Sequence, residues 1–232
     1  MTIKAELINV MGDDLTVVNA ARVSFDKESV WESGCCGCGT AQGCCGEPAK
    51  VLSAADTKLI NYLALHNHWT PFSHPQITLR ETVPIFVARQ RFKHMVGFTY
   101  NEVSRRYVDD TPEFYVPKVW RSKPDGSIKQ GSGGIHPESL HYEGMYQIYL
   151  GMAQKLYEDM IEDGVAPEQA RMVLPQSMLT SYYVTGSLAA FARAYKQRAE
   201  SHSQVEIQGL AHQWTEIIAP LFPVSWAALT GD

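Results

Sequence analysis

The sequence lacks several features that would define its class at once. It has no apolar run of about eighteen residues, which a membrane-spanning helix would need, and residues 1–6 lack the apolar stretch of a signal peptide. All five cysteines fall within residues 35–45, and so crowded and odd a set does not suit a secreted disulfide framework. We therefore expect a cytoplasmic protein that binds no membrane and keeps its thiols reduced.

The motifs of common enzyme classes are missing as well. No glycine-rich loop of the dinucleotide or P-loop type occurs, and no order of serine, histidine and aspartate suggests acyl transfer. The formal net charge of -5 disfavours general binding to nucleic acid, because a polyanion would be repelled. A small anionic ligand fits this composition better.

The most informative feature present is a local reversal of charge in residues 89–107. Five side chains with permanent positive charge occur within these nineteen residues. We expect a helix over residues 84–95, because Pro84 suits its first turn and Gly97 suits its end. A solvated basic helix face is one interpretation of the charge, and an anion-binding surface is the other.

The polar segment 101–106 follows this helix and favours the second interpretation. It offers an amide, a carboxylate, a hydroxyl and two guanidinium groups within six residues. The base, sugar and phosphate of a nucleotide require such a mixed set of donors and acceptors. The sequence therefore indicates a nucleotide as the anionic ligand.

Hydrophobic periodicity predicts an α+β protein that is rich in helices and has a small, mostly antiparallel sheet. The 232 residues, of which 45% are hydrophobic, suffice for one domain over residues 1–232. Strands are predicted at 3–9, 76–83 and 177–185, and helices at 13–22, after Ser53, and at 84–95, 137–163, 167–174, 187–202 and 204–218.

Two segments have a distinctive composition within this domain. Residues 28–50 shift to glycine, cysteine, serine and proline, so we interpret them as an inserted loop. In the helix at 137–163 a stripe recurs at helical spacing and is expected to pack in the core. The stripe consists of Met145, Tyr149, Met152, Leu156 and Met160.

Two clusters raise the possibility of a metal site. His66, His68 and His74 surround a turn, and two imidazoles separated by one residue could bind a metal. No acidic residue lies in that run, however, and Thr70 with Pro71 suits a turn that contacts a ligand. The cysteine group offers soft ligands for zinc or an iron–sulfur cluster, but its spacing is not a standard zinc pattern; a redox-sensitive thiol pair and a plain reduced loop remain open. We predict no metal site.

Several short motifs occur together in a recognisable order and spacing. They are Met11–Leu15, Ala20–Ser24, Thr70–Phe72, Phe86–Gln90, Asn101–Ser104, Arg106–Tyr107, Ala170–Pro175 and Arg198–His202. This set resembles the flavin-dependent thymidylate synthases, and the resemblance extends over most of the chain.

The resemblance implies a reaction and an assembly. Enzymes of this family convert dUMP to dTMP, taking a methylene group from methylenetetrahydrofolate and reducing equivalents from NADPH through FAD. Their mixed α/β subunits form homotetramers with active sites between subunits. Two alternatives stay open: a variant of the same fold that makes 5-hydroxymethyl-dUMP, and a non-catalytic homologue that senses a nucleotide or a metal.

The resemblance also implies roles for individual residues. The dUMP site would comprise Gln90, Lys93, Glu102, Val103, Ser104, Arg105, Arg106, Arg171 and Arg198. The FAD site would comprise Ser24, Thr70, Lys93, His94, Met95, Asn101, Glu102, Ser187, Arg193 and His202. Arg198 is the catalytic candidate, because a fixed guanidinium beside the uracil can stabilise negative charge as the ring is activated. Ser187 and Ala189 depart from the asparagine and arginine that the family commonly has.

A further departure lies in the family's signature, which begins Arg-His-Arg and reaches a serine after seven residues. Here the tripeptide is Lys-His-Met at 93–95, and eight residues precede Ser104. Lys93 keeps the charge of the first arginine but loses its bidentate geometry, whereas the methionine is uncharged. We hypothesise that Arg91 or Arg105 compensates for the missing guanidinium. Ser104 is expected to bind the nucleotide and not to act as a nucleophile.

Overall fold

The computed structural model describes residues 3–34, 49–108, 110–124, 126 and 131–231. In chain order its elements are β1 (Lys4–Met11), α1 (Asp14–Arg22), β2 (Glu32–Gly34), β3 (Ala49–Val51), α2 (Ala54–Leu65), β4 (Gln76–Pro84), α3 (Ile85–Arg91), β5 (Phe98–Glu102), α4 (Ser139–Glu162), α5 (Pro167–Ala170), β6 (Leu179–Ser187), α6 (Leu188–Arg198), α7 (Val205–Ile218) and α8 (Pro223–Thr230). Short 3₁₀ turns lie at Val23–Phe25, Pro71–Ser73 and Arg171–Val173.

A four-stranded antiparallel sheet in the order β1-β4-β6-β5 organises the molecule. One face of β4 is fully buried through Ile77 and Leu79, while the alternate residues Arg80 and Thr82 point to the other face. Strands β4 and β6 continue directly into α3 and α6. Because the two strands are antiparallel, these helices leave opposite ends of the sheet. The predicted fold class is confirmed.

Two predicted helix starts are confirmed in atomic detail. Asp13 caps α1 by accepting a hydrogen bond from the backbone N–H of Thr16 at 2.9 Å. Ser53 caps α2 in the same way, with its Oγ 3.0 Å from the backbone nitrogen of Asp56. Both caps satisfy donors that the first helical turn would otherwise leave unpaired.

The helix expected over residues 84–95 is shorter in the structure. It ends at Arg91, and Gly97 adopts a left-handed conformation with φ of +80° that turns the chain back toward the sheet. The segment that follows begins with a strand that was not predicted, because Phe98–Glu102 pairs with β6 at the edge of the sheet. The helix predicted at 187–202 likewise ends early, at Arg198, and α8 was not predicted.

The methionine and tyrosine stripe of α4 does not pack in the core of the chain. Met145 is 55% exposed and Met152 is 68% exposed, whereas Leu150, Ala153 and Tyr157 are buried. A single helix buries only the face that meets its own chain, and α4 turns a different face toward α5 and the turn at Arg171–Val173. The expectation of packing within one chain was therefore wrong for this stripe.

The predicted insert at 28–50 is described only at its two ends. Glu32–Gly34 and Ala49–Val51 form a two-stranded antiparallel pair at the start and end of the segment. The five cysteines between them lie outside the described residues. Within the described ranges, no group of three or more His, Cys, Asp or Glu side chains could hold a metal ion. In that same part of the chain, no helix is both long and apolar enough to cross a membrane.

Candidate active site

A cavity of about 680 Å³ lies over the polar face of strands β4 and β6. Its wall includes the segment that follows β5, the 3₁₀ turn at Arg171–Val173 and the start of β6. The polar residues that line it are Arg80, Thr82, Glu102, Ser104, Arg105, Asp110, Thr111, Glu113, Arg171, Thr180 and Ser181. Three guanidinium groups and three carboxylates thus face one volume of nucleotide size.

The three arginines of this cavity differ in how they are held. Arg105 donates through Nη1 to Asp110 Oδ1 at 2.9 Å, so its charge is paired. Arg80 donates to the Ser181 hydroxyl at 3.1 Å, and Arg171 donates to the backbone carbonyl of Glu168 at 3.3 Å. Among the described residues neither Arg80 nor Arg171 forms an ion pair, so both can bind an anion without losing a carboxylate partner.

A second cluster joins the end of α6 to the end of α3. The Arg198 guanidinium donates from Nε to His94 Nε2 at 2.8 Å and from Nη2 to the carbonyl oxygen of Gln90 at 3.3 Å. The Gln90 amide in turn donates to Gln204 Oε1 at 2.5 Å. Arg198 Nη1 has no hydrogen-bond partner in the described part of the chain. The guanidinium is thus fixed on one side and can donate to a ligand on the other.

The protonation state of His94 is what allows this contact. Burial is the main cause that lowers the pKa of His94 to about 4, and the positive charges of Arg198, Arg91 and Arg193 lower it further. The imidazole is therefore neutral at pH 7, and its Nε2 accepts the Arg198 hydrogen bond while the proton stays on Nδ1. Burial and the neighbouring Arg91 also lower the pKa of Arg198.

The chain between α3 and β5 is fastened to α6. Arg193 donates to the carbonyl oxygen of Val96, and the Ser187 backbone N–H donates to the carbonyl oxygen of Gly97 at 3.2 Å. A Cβ atom on Gly97 would lie 2.9 Å from the Ala190 methyl group, so only glycine permits this approach. We call residues 93–97 the signature turn.

The side chains of the signature turn point in different directions. His94 is buried, whereas Lys93 is exposed and Met95 is 74% exposed. Arg193 on the adjoining helix is exposed as well. An anionic dinucleotide with aromatic rings would find cations and an apolar thioether here, so the residues present fit an FAD group.

The other predicted flavin residues are distributed along the chain. Ser24 lies exposed in the turn Val23–Phe25, and Thr70 precedes the turn at Pro71–Ser73, which packs against α1 and α6. Asn101 and Glu102 are exposed at the end of β5, and His202 is exposed after α6. Ser187 has a structural role, because its buried Oγ accepts from the Ala190 backbone N–H at 3.2 Å and caps α6.

The predicted nucleotide residues fall into two groups. Glu102, Val103, Ser104, Arg105 and Arg171 line the cavity together. Gln90 and Arg198 belong to the second cluster, and Lys93 and Arg106 are exposed elsewhere. Among the residues described, Gln90, Lys93, Arg106 and Arg198 do not line the cavity. One chain therefore does not assemble the whole predicted dUMP site.

Arg91 cannot replace the missing arginine of the signature tripeptide. Its side chain is completely buried and forms an ion pair with the equally buried Glu81, with Nε 3.1 Å from Oε2. The hypothesis of compensation is therefore wrong for Arg91. It stays a prediction for Arg105, which lines the cavity.

Sequence reasoning missed Arg80 and Ser181. Both lie on the polar face of the sheet, and Arg80 reaches across from β4 to the Ser181 hydroxyl on β6. The signal was present, because the alternation of β4 places Arg80 opposite the buried Ile77 and Leu79. An arginine on the polar face of a central strand, such as Arg80, indicates the floor of a ligand-binding cavity once the neighbouring strand is known.

Comparison with known proteins agrees with the motifs. Residues 6–224 match the family model described as thymidylate synthase complementing protein. Flavin-dependent thymidylate synthases from Thermosipho africanus and Kosmotoga olearia are 37% and 35% identical to this chain, in alignments that cover 96% and 97% of it and 88% and 91% of those proteins.

Solved structures show the same likeness. The UMP/dUMP methylase PolB from Streptomyces cacaoi bound with 5-Br dUMP aligns with a TM-score of 0.80 at 28% identity, over 99% of this chain and 95% of the other. The structure of PolB bound with 5-Br UMP aligns with a TM-score of 0.78, also at 28% identity, over 99% and 94%. Sequence, fold and site motifs thus agree, and the chain belongs to the thymidylate synthase complementing proteins, the family of flavin-dependent thymidylate synthases.

Proposed function

We propose that this protein converts dUMP to dTMP in the cytoplasm, with methylenetetrahydrofolate as one-carbon donor and NADPH as reductant through bound FAD. The observation that carries the proposal is the Arg198 guanidinium, held by neutral His94 and the Gln90 carbonyl with one nitrogen left to donate. The cavity with its two unpaired arginines supports it, because a nucleotide phosphate requires such groups. The names of the relatives support it as well.

The protein's own groups have distinct roles in this proposal. Arg80 and Arg171 bind the phosphate, and the Ser104 hydroxyl orients the nucleotide within the cavity. Arg198 donates to the uracil ring and stabilises the negative charge that develops on it when C5 becomes nucleophilic. His94 keeps its proton on Nδ1, so that its Nε2 holds the Arg198 guanidinium by accepting a hydrogen bond, and the neutral ring adds no positive charge of its own.

The flavin would be held by the exposed cations beside the signature turn. Lys93 and Arg193 would bind its diphosphate, and the Met95 thioether would pack against a ring. When bound, the flavin supplies the hydride that completes the methyl group. Lys93 supplies a point charge where an arginine would supply a fork, so the diphosphate is bound by charge more than by geometry.

Assembly into a homotetramer would bring the two groups of nucleotide residues together. The exposed apolar face of α4, formed by Met145, Ile148, Met152 and Leu156, is the kind of surface that oligomers bury. If one subunit supplies the cavity and another supplies Gln90 and Arg198, the division seen in one chain is explained.

A second candidate substrate is UMP. The structural relative is named as a methylase of both UMP and dUMP and has been solved with analogues of each. The two nucleotides differ only in the 2′-hydroxyl, so a ribose-tolerant cavity would accept both.

One experiment separates these possibilities. Purified protein is examined for flavin absorbance, the extracted flavin is identified by chromatography, and dUMP or UMP is incubated with methylenetetrahydrofolate and NADPH before mass spectrometry of the nucleotides. The proposal predicts FAD and a dUMP product heavier by one CH₂. A product that carries CH₂O instead would show the hydroxymethylating variant, and tight nucleotide binding without turnover would show a sensor. Protein that cannot be reconstituted with FAD would refute the proposal.

A further inference from the structure

A network of buried polar groups lies directly beneath the signature turn. Glu81 on β4 and Arg91 at the end of α3 are both 0% exposed, and Tyr100 on β5 lies beside them. Nothing in the proposed reaction uses these three residues. Polar side chains in a core are costly unless each is satisfied, so their presence there requires a reason.

Glu81 anchors one side of the network. Its carboxylate accepts hydrogen bonds from Arg91 Nε at 3.1 Å, from the Tyr182 hydroxyl at 2.7 Å and from Trp214 Nε1 at 2.8 Å. The guanidinium carbon of Arg91 lies 4.3 Å from the ring centroid of Phe98 and 4.6 Å from that of Trp214. Arg91 is therefore fixed by a carboxylate along its edge and by aromatic rings over its faces.

Tyr100 connects this anchor to the signature turn. Arg91 Nη1 donates to the Tyr100 hydroxyl at 2.7 Å, and that hydroxyl donates to the carbonyl oxygen of His94 at 2.7 Å. Burial is the main cause that raises the pKa of Tyr100 to about 12, so the phenol remains a donor at neutral pH. The Tyr100 hydroxyl is polarised because its oxygen accepts a hydrogen bond from the Arg91 cation. This strengthens the hydrogen bond that the hydroxyl donates to His94.

These hydrogen bonds connect the core to the proposed catalytic group, the Arg198 guanidinium. The His94 carbonyl is fixed by Tyr100, and the His94 imidazole accepts the Arg198 hydrogen bond. The backbone and the side chain of one residue thus connect the buried network to the guanidinium. Buried ion pairs are often no more stabilising than apolar side chains of the same volume, so stability alone does not explain this one.

We propose that Tyr100 is a positioning residue, which Arg91 and Glu81 hold in place so that it fixes His94 and, through His94, the Arg198 guanidinium. The proposal rests on the proposed function for its catalytic consequence. Its structural consequence, that the Tyr100 hydroxyl determines where the His94 ring lies, can be tested whether or not the protein makes dTMP.

The test compares Tyr100→Phe with Tyr157→Phe. Tyr157 is also completely buried, and its hydroxyl has no hydrogen-bond partner among the described residues, so its loss removes a phenol oxygen without breaking a network. Both variants are titrated by NMR through the His94 ring, with urea unfolding to establish that each is folded. The kcat and the KM for dUMP are then measured on the FAD-loaded protein.

Tyr100→Phe is expected to raise the pKa of His94 from about 4 toward its usual 6.5, because the ring leaves its buried place beside Arg198. The kcat should fall by about 10- to 100-fold with a smaller change in KM, which is the size expected for misplacing a catalytic group. Tyr157→Phe should change neither the pKa of His94 nor the kcat. If the His94 titrations of the two variants coincide, the positioning proposal is overturned; if wild-type protein makes no dTMP, only the proposed function fails.

Discussion

At the scale of single residues, the candidate site depends on a histidine that stays neutral. His94 is buried between three arginines, and its Nε2 accepts the hydrogen bond that orients Arg198. A protonated imidazole could not accept that bond and would add a fourth positive charge. The sequence shows only that a histidine stands between a lysine and a methionine, so this role required the fold.

The pH dependence of stability tests this view of His94. The pKa of His94 is about 4 in the folded protein and 6.5 as its ordinary value, so the unfolded chain takes up the proton first as the pH falls. The contribution of neutral His94 to the unfolding free energy is therefore fully present above pH 6.5 and is lost progressively as the pH falls to 4. Between pH 7 and pH 4.5 the wild type should lose about 2 kcal/mol more unfolding free energy than His94→Gln, in urea titrations.

The same experiment contains its own control. Burial alone would raise the pKa of Asp56, but hydrogen bonds from Ser53, Arg22 and Ser29 together lower it below its ordinary value. It loses its contribution to stability at lower pH, and it does so equally in both proteins. Equal losses in the wild type and in His94→Gln would therefore show that His94 is not buried in its neutral form.

At the scale of elements, the sequence predicted those features that local chemistry determines. The helix starts near Asp13 and after Ser53 and the alternation of β4 follow from neighbouring residues, and all are present. Strand β5 was missed because Phe98–Glu102 is mostly polar and becomes a strand only by pairing with β6. Helix α8 is short and apolar on most sides, so it lacks the periodicity that identifies a helix.

The candidate site was predictable in part for the same reason. The motif residues Glu102–Arg105 are contiguous, and the chain brings them to the cavity as a unit. The contacts that give Arg198 its orientation come from residues about a hundred positions away, at His94 and Gln90. Arg91 shows the limit most clearly, because its position in a basic run suggested a ligand contact and the fold places it in the core.

The signature turn is an element whose shape can be tested by adding one methyl group. Gly97→Ala should destabilise the protein, because residue 97 has φ of +80° and its new Cβ would lie 2.9 Å from the Ala190 methyl group. Gly164→Ala is the matched control, since Gly164 has φ of +83° and open space around it. We expect about 1 kcal/mol for the control and at least about 1 kcal/mol more for Gly97→Ala, by urea unfolding.

Flavin affinity adds a functional measure to that pair. Gly97→Ala should weaken FAD binding, because Lys93 and Met95 belong to the same turn, and Gly164→Ala should leave it unchanged. If Gly97→Ala and Gly164→Ala lose the same unfolding free energy and bind FAD equally well, the close contact between the signature turn and α6 contributes to neither stability nor flavin binding.

At the scale of the whole molecule, the exposed face of α4 and the divided nucleotide residues both favour assembly. Met152→Lys should shift the proposed tetramer toward smaller species, because a charge on a buried apolar interface is costly. Gln147→Lys is the control, since Gln147 is exposed on the same helix roughly 140° around from Met152. Light scattering after size-exclusion chromatography gives the mass of each variant.

The rate of dTMP formation should depend on the oligomeric mass in the comparison of these two variants. If Gln90 and Arg198 of one subunit complete the cavity of another, the smaller species formed by Met152→Lys should lose dTMP formation, while Gln147→Lys should retain both mass and turnover. A fully active monomer would contradict the shared site.

Arg198 provides the most direct test of the account. Turnover of dUMP by Arg198→Ala is measured on FAD-loaded protein, beside Lys196→Ala, which removes an exposed cation from the same helix. Loss of a preorganised group that stabilises developing charge should lower kcat by at least about 100-fold in Arg198→Ala, with flavin still bound, and leave Lys196→Ala near the wild type. A kcat for Arg198→Ala within about twofold of the wild type would contradict the central claim that this guanidinium stabilises the negative charge that develops on the uracil ring.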